Sequence, residues 1–434
     1  FGLHLSGKLP VLLNWTTGPS NLMHAARTMG LTHVVTSRRF LDRTGVRLDG
    51  VEMLCMEDVR PSRWQAFRKL LRARFFSGTI RVPRPNPDSP AVVLFTSGSE
   101  KAPKAVPLTH RNLIACIRDG MRELGMGRED SLLGFLPSFH SFGLTVTFLA
   151  PVLCGLRVVR HPDPTDAASL VRKIETYHVT TVAATPTFAT HLFDRVKGDE
   201  LRSLRMILVG AEKCPANLFE RVKKLAPNAL LLEGYGITEC SPVVSINRPE
   251  EGRPGSVGKP LPCVQTRIVD VESGEEVASG EMGMLLVCGP TIFPGYLGYE
   301  GESPFREMDG KNWYITGDMV RVDAEGFIHF MGRLKRFVKA GGEMISLPAL
   351  EEPLTRAYPA GDNGPRVAVE GMERDGGRKI VLFTTEDVSL RDANAVVYAA
   401  GHRGVMRLDE VRRLEQIPVL GTGKTDYKVL RAMI

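Results

Sequence analysis

Short apolar runs at 91–95, 180–184, 206–209 and 229–233 are separated by stretches with helical spacing, and this alternation restricts the fold more than any other feature of the chain. Strands that alternate with helices build a mostly parallel sheet, because a parallel pair needs a long crossover and the crossover must itself cover the sheet. Residues 1–93 repeat the texture, with strand candidates at 33–36 and 51–54, and supply half of another α/β layer. After Pro249 the pattern changes to short strands between Gly and Pro, as at 265–270 and 284–288, which predicts a small β-rich subdomain. The tail after Arg333 has the pattern of a separate unit. The expected fold class is therefore α/β. A large domain spans 1–333 with its β-rich part at about 250–333, and a small α+β domain spans 336–434. The chain opens on Phe1 in the middle of a helical pattern, so it is read as a fragment whose large domain lacks its first portion.

Between 131 and 156 the only Asp, Glu, Lys, Arg or His is His140. A run that long has to be weighed as a membrane span, but Pro137, Gly143, Pro151 and Gly155 interrupt it, so a buried loop and core helix are expected instead. The seven cysteines are scattered without a CxxC pair, so neither a zinc ribbon nor a disulfide framework is indicated and a reducing cytoplasm fits best. A net charge of +7 would suit a phosphate-rich ligand, an acidic partner or an anionic membrane surface, and does not choose among them. Much of that charge is local. Residues 60–84 hold eight Arg or Lys and no acid, while Trp64, Phe67, Leu71 and Phe75 recur at helical spacing. A basic amphipathic helix packed on its own domain is the expected reading, with contact to anionic lipid or to an acidic carrier protein as alternatives.

The run 91–95 leads directly into Thr96, Ser97, Gly98 and Ser99, followed by Lys101 and Lys104. Small hydroxyl residues and Gly after a strand let backbone N–H and side-chain O–H groups approach phosphate oxygens, with a lysine to balance charge. Two other phosphate motifs fail. Gly421-Thr-Gly-Lys-Thr425 ends like a Walker A loop, but its first glycine would fall at Pro418. Gly234-Tyr-Gly236 has Glu239 where a dinucleotide fingerprint needs its third glycine.

Four further motifs give the loop a context: Glu233-Gly-Tyr-Gly-Ile-Thr-Glu239, Thr316-Gly-Asp318, Gly332-Arg-Leu-Lys335 and Pro418-Val-Leu-Gly-Thr-Gly-Lys424. With them the chain resembles the acyl-adenylate-forming (AMP-dependent synthetase/ligase) superfamily over residues 96–424. Within it, 94–100, 139–146, 210–213 and 239–247 most resemble the acyl-[acyl-carrier-protein] synthetase domain of bacterial 2-acylglycerophosphoethanolamine acyltransferases. That resemblance implies an enzyme that uses ATP and Mg2+ to turn a long-chain fatty acid into its acyl-AMP. The acyl group then passes to a phosphopantetheine thiol, that of acyl carrier protein or, alternatively, of CoA. A truncated, inactive nucleotide-binding homologue is the non-enzymatic alternative. No nucleic-acid partner is implied, and the expected location is the cytoplasm, with attachment to the inner face of the membrane left open.

The roles implied by the resemblance are chemically reasonable one by one. Thr96, Ser97, Gly98, Ser99 and Lys104 would border the phosphates, and Tyr235 would stack on adenine beside the Gly210-Ala211 backbone, with Gly236 and Thr238 alongside. Glu239 would hold Mg2+ as a hard oxygen ligand. Asp318 would accept from the ribose hydroxyls and Arg333 would donate to the same sugar. Lys424 would meet the charge that grows on the α-phosphate. Lys335 would be a hinge, Gly341 and Gly342 would line the thiol tunnel, and His140 would gate the acyl site. Amino-acid-activating relatives need an acid near this gate for the substrate's ammonium, and 131–156 has none, so an apolar acyl chain is the better fit. Lys101 and Ala105 replace two glycines usual in the phosphate loop and are expected to stiffen it. The string His161-Pro-Asp-Pro-Thr-Asp166 matches an acyltransferase motif, but its prolines suit a turn and it is discounted.

Overall fold

The structure is a computed structural model that describes residues 2–59, 61–75, 85–96, 102–340, 343–361, 364–374, 377–419 and 425–434. Its centre is a seven-stranded sheet, in the spatial order Lys259–Pro260, Val243–Ile246, Leu230–Gly236, Met206–Val209, Thr181–Ala184, Ser131–Gly134, Arg157–Arg160. The last five run parallel, and the first two are added antiparallel. Every residue of Ser131–Gly134, Thr181–Ala184 and Met206–Val209 is buried, as expected of parallel strands covered on both faces by helices. Ala184 pairs with Val209 and Val209 with Glu233, so Thr185, Gly210 and Gly234 emerge side by side along the carboxyl edge. Ligands bind along that edge in open α/β sheets.

The uncharged stretch 131–156 is not only loop and helix. It begins as the strand Ser131–Gly134, crosses a loop through His140, and continues as a wide-turned helix over Gly143–Leu149 that runs into Ala150–Cys154. A run of apolar residues does not distinguish a buried strand from a buried helix, which is why the strand was not foreseen. Among the described residues no helix is long and apolar enough to cross a membrane.

A second correction concerns residues 91–95. They form the strand Pro90–Phe95, but it lies outside the seven-stranded sheet and pairs antiparallel with Ala105–Thr109. The return strand holds Pro107, a residue that ordinarily argues against a strand and conceals the hairpin. Ala105 is therefore a buried ladder residue facing Phe95, at the end of the loop. Thr109 then caps the helix His110–Glu123 through a reciprocal pair of bonds with Asn112.

The five strands Gln265–Val269, Met282–Cys288, Phe305–Met308, Lys311–Val322 and Ile328–Arg333 make an antiparallel sheet, closed on Leu285, Val287, Val320 and Ile328 in the main core. After Leu334–Arg336 come a hairpin, the helix Leu347–Ala357 and the sheet Val367–Arg374, Gly377–Thr384, Glu410–Arg413. These share a core of their own that includes Leu350, Val369, Ile380 and Val397. Near the start, the helix Pro19–Thr28 packs by a parallel pair, His33–Thr36 with Glu52–Cys55.

The basic helix exists, over Arg63–Phe75, but the expectation that it packs on its own domain fails: none of its thirteen residues is buried among the described residues. Sequence shows its two kinds of side chain and nothing about what covers them.

Candidate active site

Asp318, inside the strand Lys311–Val322, is the direct cross-strand partner of Arg333, the last residue of Ile328–Arg333. Asp318 is wholly buried, and burial pushes its carboxyl pKa upward against the pull of Arg333 and of a hydrogen bond from Tyr235. The Tyr235 hydroxyl donates to Oδ2, and Arg333 Nε stands 2.9 Å from Oδ1. That N–H is poorly aligned, so Oδ1 accepts no hydrogen bond and keeps acceptor capacity in a buried place. Arg333 is 56% exposed along its side chain, which leaves the guanidinium able to turn toward a ligand. The Tyr235 ring is buried and stacks on Phe330 at 5.8 Å between centroids, with burial and Asp318 raising its pKa.

Tyr235 and Glu239 belong to one continuous segment. The strand Leu230–Gly236 ends at Gly236, where any Cβ would lie 1.9 Å from the Pro242 carbonyl oxygen, so only glycine fits this crossing. A single turn over Thr238–Cys240 follows. Thr238 Oγ1 lies 3.3 Å from Ser141 Oγ, which ties the loop after His140 to this turn. His140 is half-buried, its ring 4.8 Å from that of Phe139. On the neighbouring strand end, Gly210 approaches the Gly234 carbonyl so closely that a Cβ would stand 3.0 Å from it. Ala211 adopts φ +69°, a left-handed conformation uncommon outside glycine and the kind of strain that accumulates at functional sites.

Glu239 is buried and accepts a 2.7 Å hydrogen bond from the Tyr296 hydroxyl, which lies 3.2 Å from the hydroxyl of Tyr314. Among the described residues no three His, Cys, Asp or Glu come together as a metal cluster. A lone carboxylate suits Mg2+, which keeps several waters and takes its remaining oxygens from phosphates. The Lys104 ammonium rests over the rings of Tyr299 and Tyr296, at 4.1 and 4.5 Å. Sequence reasoning missed both tyrosines. They sit in a loop fastened by Asn112, whose amide donates to the carbonyls of Pro290 and Ile292 at 2.8 and 2.9 Å. The only local signal is the Gly-Tyr-Leu-Gly-Tyr spacing at 295–299, and nothing in it points to Glu239 or Lys104.

Thr96 and Lys104 clamp the base of the phosphate loop: Thr96 N–H donates to the Lys104 carbonyl at 3.1 Å, and Lys104 N–H to Thr96 Oγ1 at 3.0 Å. Ser97, Gly98, Ser99 and Lys101 lie outside the described residues, as do Gly341, Gly342 and Lys424. The segment carrying Lys424 is closed at its base by the Val419–Thr425 bridge and by Asp426 N–H donating to the Pro418 carbonyl at 2.8 Å. Lys335 sits in the turn Leu334–Arg336, its carbonyl accepting from Arg431 at 3.0 Å. Asp166, from the discounted acyltransferase string, caps the helix Ala167–Tyr177 by accepting from Ser169 N–H, a structural task.

The geometry thus gathers Tyr235, Glu239, Asp318 and Arg333 with Lys104 nearby, along the carboxyl edge of the main sheet. Residues 1–297 match the AMP-binding enzyme family. The chain belongs to that family. It is similar to 4-coumarate–CoA ligase 2 of Oryza sativa subsp. japonica, 29% identical over 80% of this chain and 63% of that protein. It is also similar to the long-chain-fatty-acid–CoA ligase of Bacillus subtilis, 32% identical over 63% of this chain and 50% of the relative. The matched region is thus less than two thirds of either curated relative. Its fold matches the O-succinylbenzoate coenzyme A synthetase (MenE) of Bacillus subtilis, solved in complex with ATP and a magnesium ion. That match has a TM-score of 0.79 at 22% identity, over 97% of this chain and 83% of that one. The fold is the mixed α/β fold of acyl-adenylate-forming enzymes.

One titrating group beside this site has a measurable consequence. Glu233 is buried, accepts from Gly255 N–H at 2.8 Å, and is pushed by burial from 4.5 up to about 7. An acid whose pKa is higher when folded binds its proton more tightly in the native state, so stability falls as pH rises from about 4.5 to about 7. At ~1.4 kcal/mol per unit the loss is bounded at roughly 3–4 kcal/mol. Glu233→Gln is expected to flatten the pH–stability curve and to exceed the parent in stability at pH 8. Denaturant melts at pH 5 and pH 8 check this, and equal slopes for the two proteins would refute it.

Proposed function

We propose that this chain activates a long-chain fatty acid with ATP to an acyl-AMP and then forms a thioester on acyl carrier protein. The observation that carries the first half is the buried Asp318 with its unused Oδ1, flanked by Tyr235 and Arg333, an acceptor and a donor for the hydroxyls of a ribose. Gly210 and Ala211 border the same edge, where the base would lie. Lys104 would leave its tyrosine rings for the phosphates. Glu239 would hold Mg2+, whose chemistry there is to offset phosphate charge. The fatty acid carboxylate attacks the α-phosphorus and pyrophosphate departs, while Lys424 neutralises the charge gathering on the α-phosphate oxygens. His140 would stand between this centre and the acyl chain, in a stretch with no acid to bind an ammonium. The relative named for long-chain fatty acids supports an aliphatic substrate.

In this reading residues 336–434 form a lid that pivots at Lys335. Arg336 is anchored beyond that point, 3.2 Å from Glu351, beside Glu370 and over the Tyr427 ring at 3.5 Å. The proposed pivot at Lys335 would sit just ahead of this anchor. The Lys213–Glu352 ion pair at 2.6 Å and the Lys339–Glu272 pair cross between lid and body; both are largely exposed and weak enough to break on rotation. Rotation would bring Gly341 and Gly342 toward the incoming thiol.

CoA as acceptor is the second reading, favoured by the names of the curated relatives. Thioester formation measured side by side with acyl carrier protein and CoA separates the two. At least tenfold faster turnover with carrier protein is expected, and equal or faster turnover with CoA would replace that half of the proposal.

A further inference from the structure

The helix Arg63–Phe75 carries four arginines, one lysine and no acid, and all thirteen of its residues are exposed. Trp64, Phe67 and Phe75 are 73%, 51% and 70% open to solvent. A helix of this length is marginal in water without a packed face, and among the described residues nothing supplies one. At 3.6 residues per turn, Trp64, Phe67, Leu71 and Phe75 fall within an arc of about 80°, and the Trp64 and Phe67 rings meet edge to face at 6.0 Å. Arg63 and Arg74 flank one side of that arc, and Arg68 and Arg72 the other.

We propose that this helix is a peripheral docking element for a membrane surface rich in anionic phospholipid. The charge is complementary to such a surface. The aromatic stripe is of the type that settles at the boundary between headgroups and acyl chains, and the long arginine stems let the cations stay at phosphate level while the rings descend. An acidic protein would match the charge, but would leave three large rings needing a shaped apolar pocket; a lipid interface accepts them in any arrangement. Docking here would hold the chain at a bilayer and does not depend on the reaction proposed above.

The test is co-sedimentation of the full chain with vesicles of phosphatidylglycerol and phosphatidylcholine in equal parts, against vesicles of phosphatidylcholine alone. Binding is expected only to the anionic vesicles, with a blue shift of Trp64 emission in a Trp15→Phe, Trp313→Phe background. Arg68→Gln, Lys69→Gln and Arg72→Gln together should weaken it about a hundredfold, and Trp64→Ala with Phe67→Ala should abolish the residual. Equal binding to both vesicle types, or binding unmoved by the glutamine substitutions, would overturn the proposal. So would an emission shift produced by acidic carrier protein and not by vesicles. A fall in thermal midpoint in the glutamine variant would show that the helix packs on the rest of the chain, and would also overturn it. ATP–pyrophosphate exchange without vesicles, unchanged in these variants, keeps this outcome separate from the adenylation reading.

Discussion

Lys424→Ala is expected to lower fatty-acid-dependent ATP–pyrophosphate exchange by about 10²–10³-fold, while ATP binding by calorimetry changes little. Stabilising charge that develops only in the transition state affects the rate and not ground-state binding, and loss of one such donor typically has this magnitude. The Val419–Thr425 bridge and the Asp426–Pro418 bond close the base of the loop independently of the lysine side chain, so the substitution should not disturb the fold. Exchange that persists at the parental rate would remove Lys424 from the chemistry.

The second large effect is expected at Asp318. Asp318→Asn keeps the shape and one acceptor for the Tyr235 hydroxyl, but loses the charge facing Arg333 and one acceptor for the ribose. Charge-assisted hydrogen bonds contribute ~1.5–3 kcal/mol each. Loss of the one bond proposed to the ribose should raise the Kd for ATP by on the order of 10–10²-fold. Stability should move far less, because Arg333 is more than half exposed and can be solvated when its partner is neutralised. Isothermal titration with ATP, paired with a thermal melt, distinguishes the roles. A large fall in melting temperature with unchanged ATP affinity would make Asp318 a structural residue.

Much of the fold that carries the candidate site was legible in the sequence, and the reason is local. Strands such as 206–209 and 181–184 are short apolar or β-branched runs, so their own residues define them. Thr316-Gly-Asp318 and Gly332-Arg333 were readable as motifs, but only the ladder that sets Asp318 opposite Arg333 shows that they form one unit. The Tyr296 contact to Glu239 spans 57 positions, and the rings that hold Lys104 come from a loop fastened by Asn112, 178 and 180 positions before the carbonyls it holds. No periodicity reports such contacts. The hairpin 90–109 was concealed by a proline in its return strand. The helix Arg63–Phe75 was visible as a pattern, yet the exposure of all its residues among the described residues is a property of the folded chain alone.

Exchange of labelled pyrophosphate into ATP, run with the full chain and a series of carboxylic acids, tests the central claim most directly. The account predicts exchange that depends on Mg2+ and on a long-chain fatty acid such as palmitate, with no response to amino acids. Exchange driven by an amino acid or a short aromatic acid but not by palmitate would contradict the substrate assignment. Absence of exchange with every acid, in a protein that still binds ATP, would contradict adenylation itself.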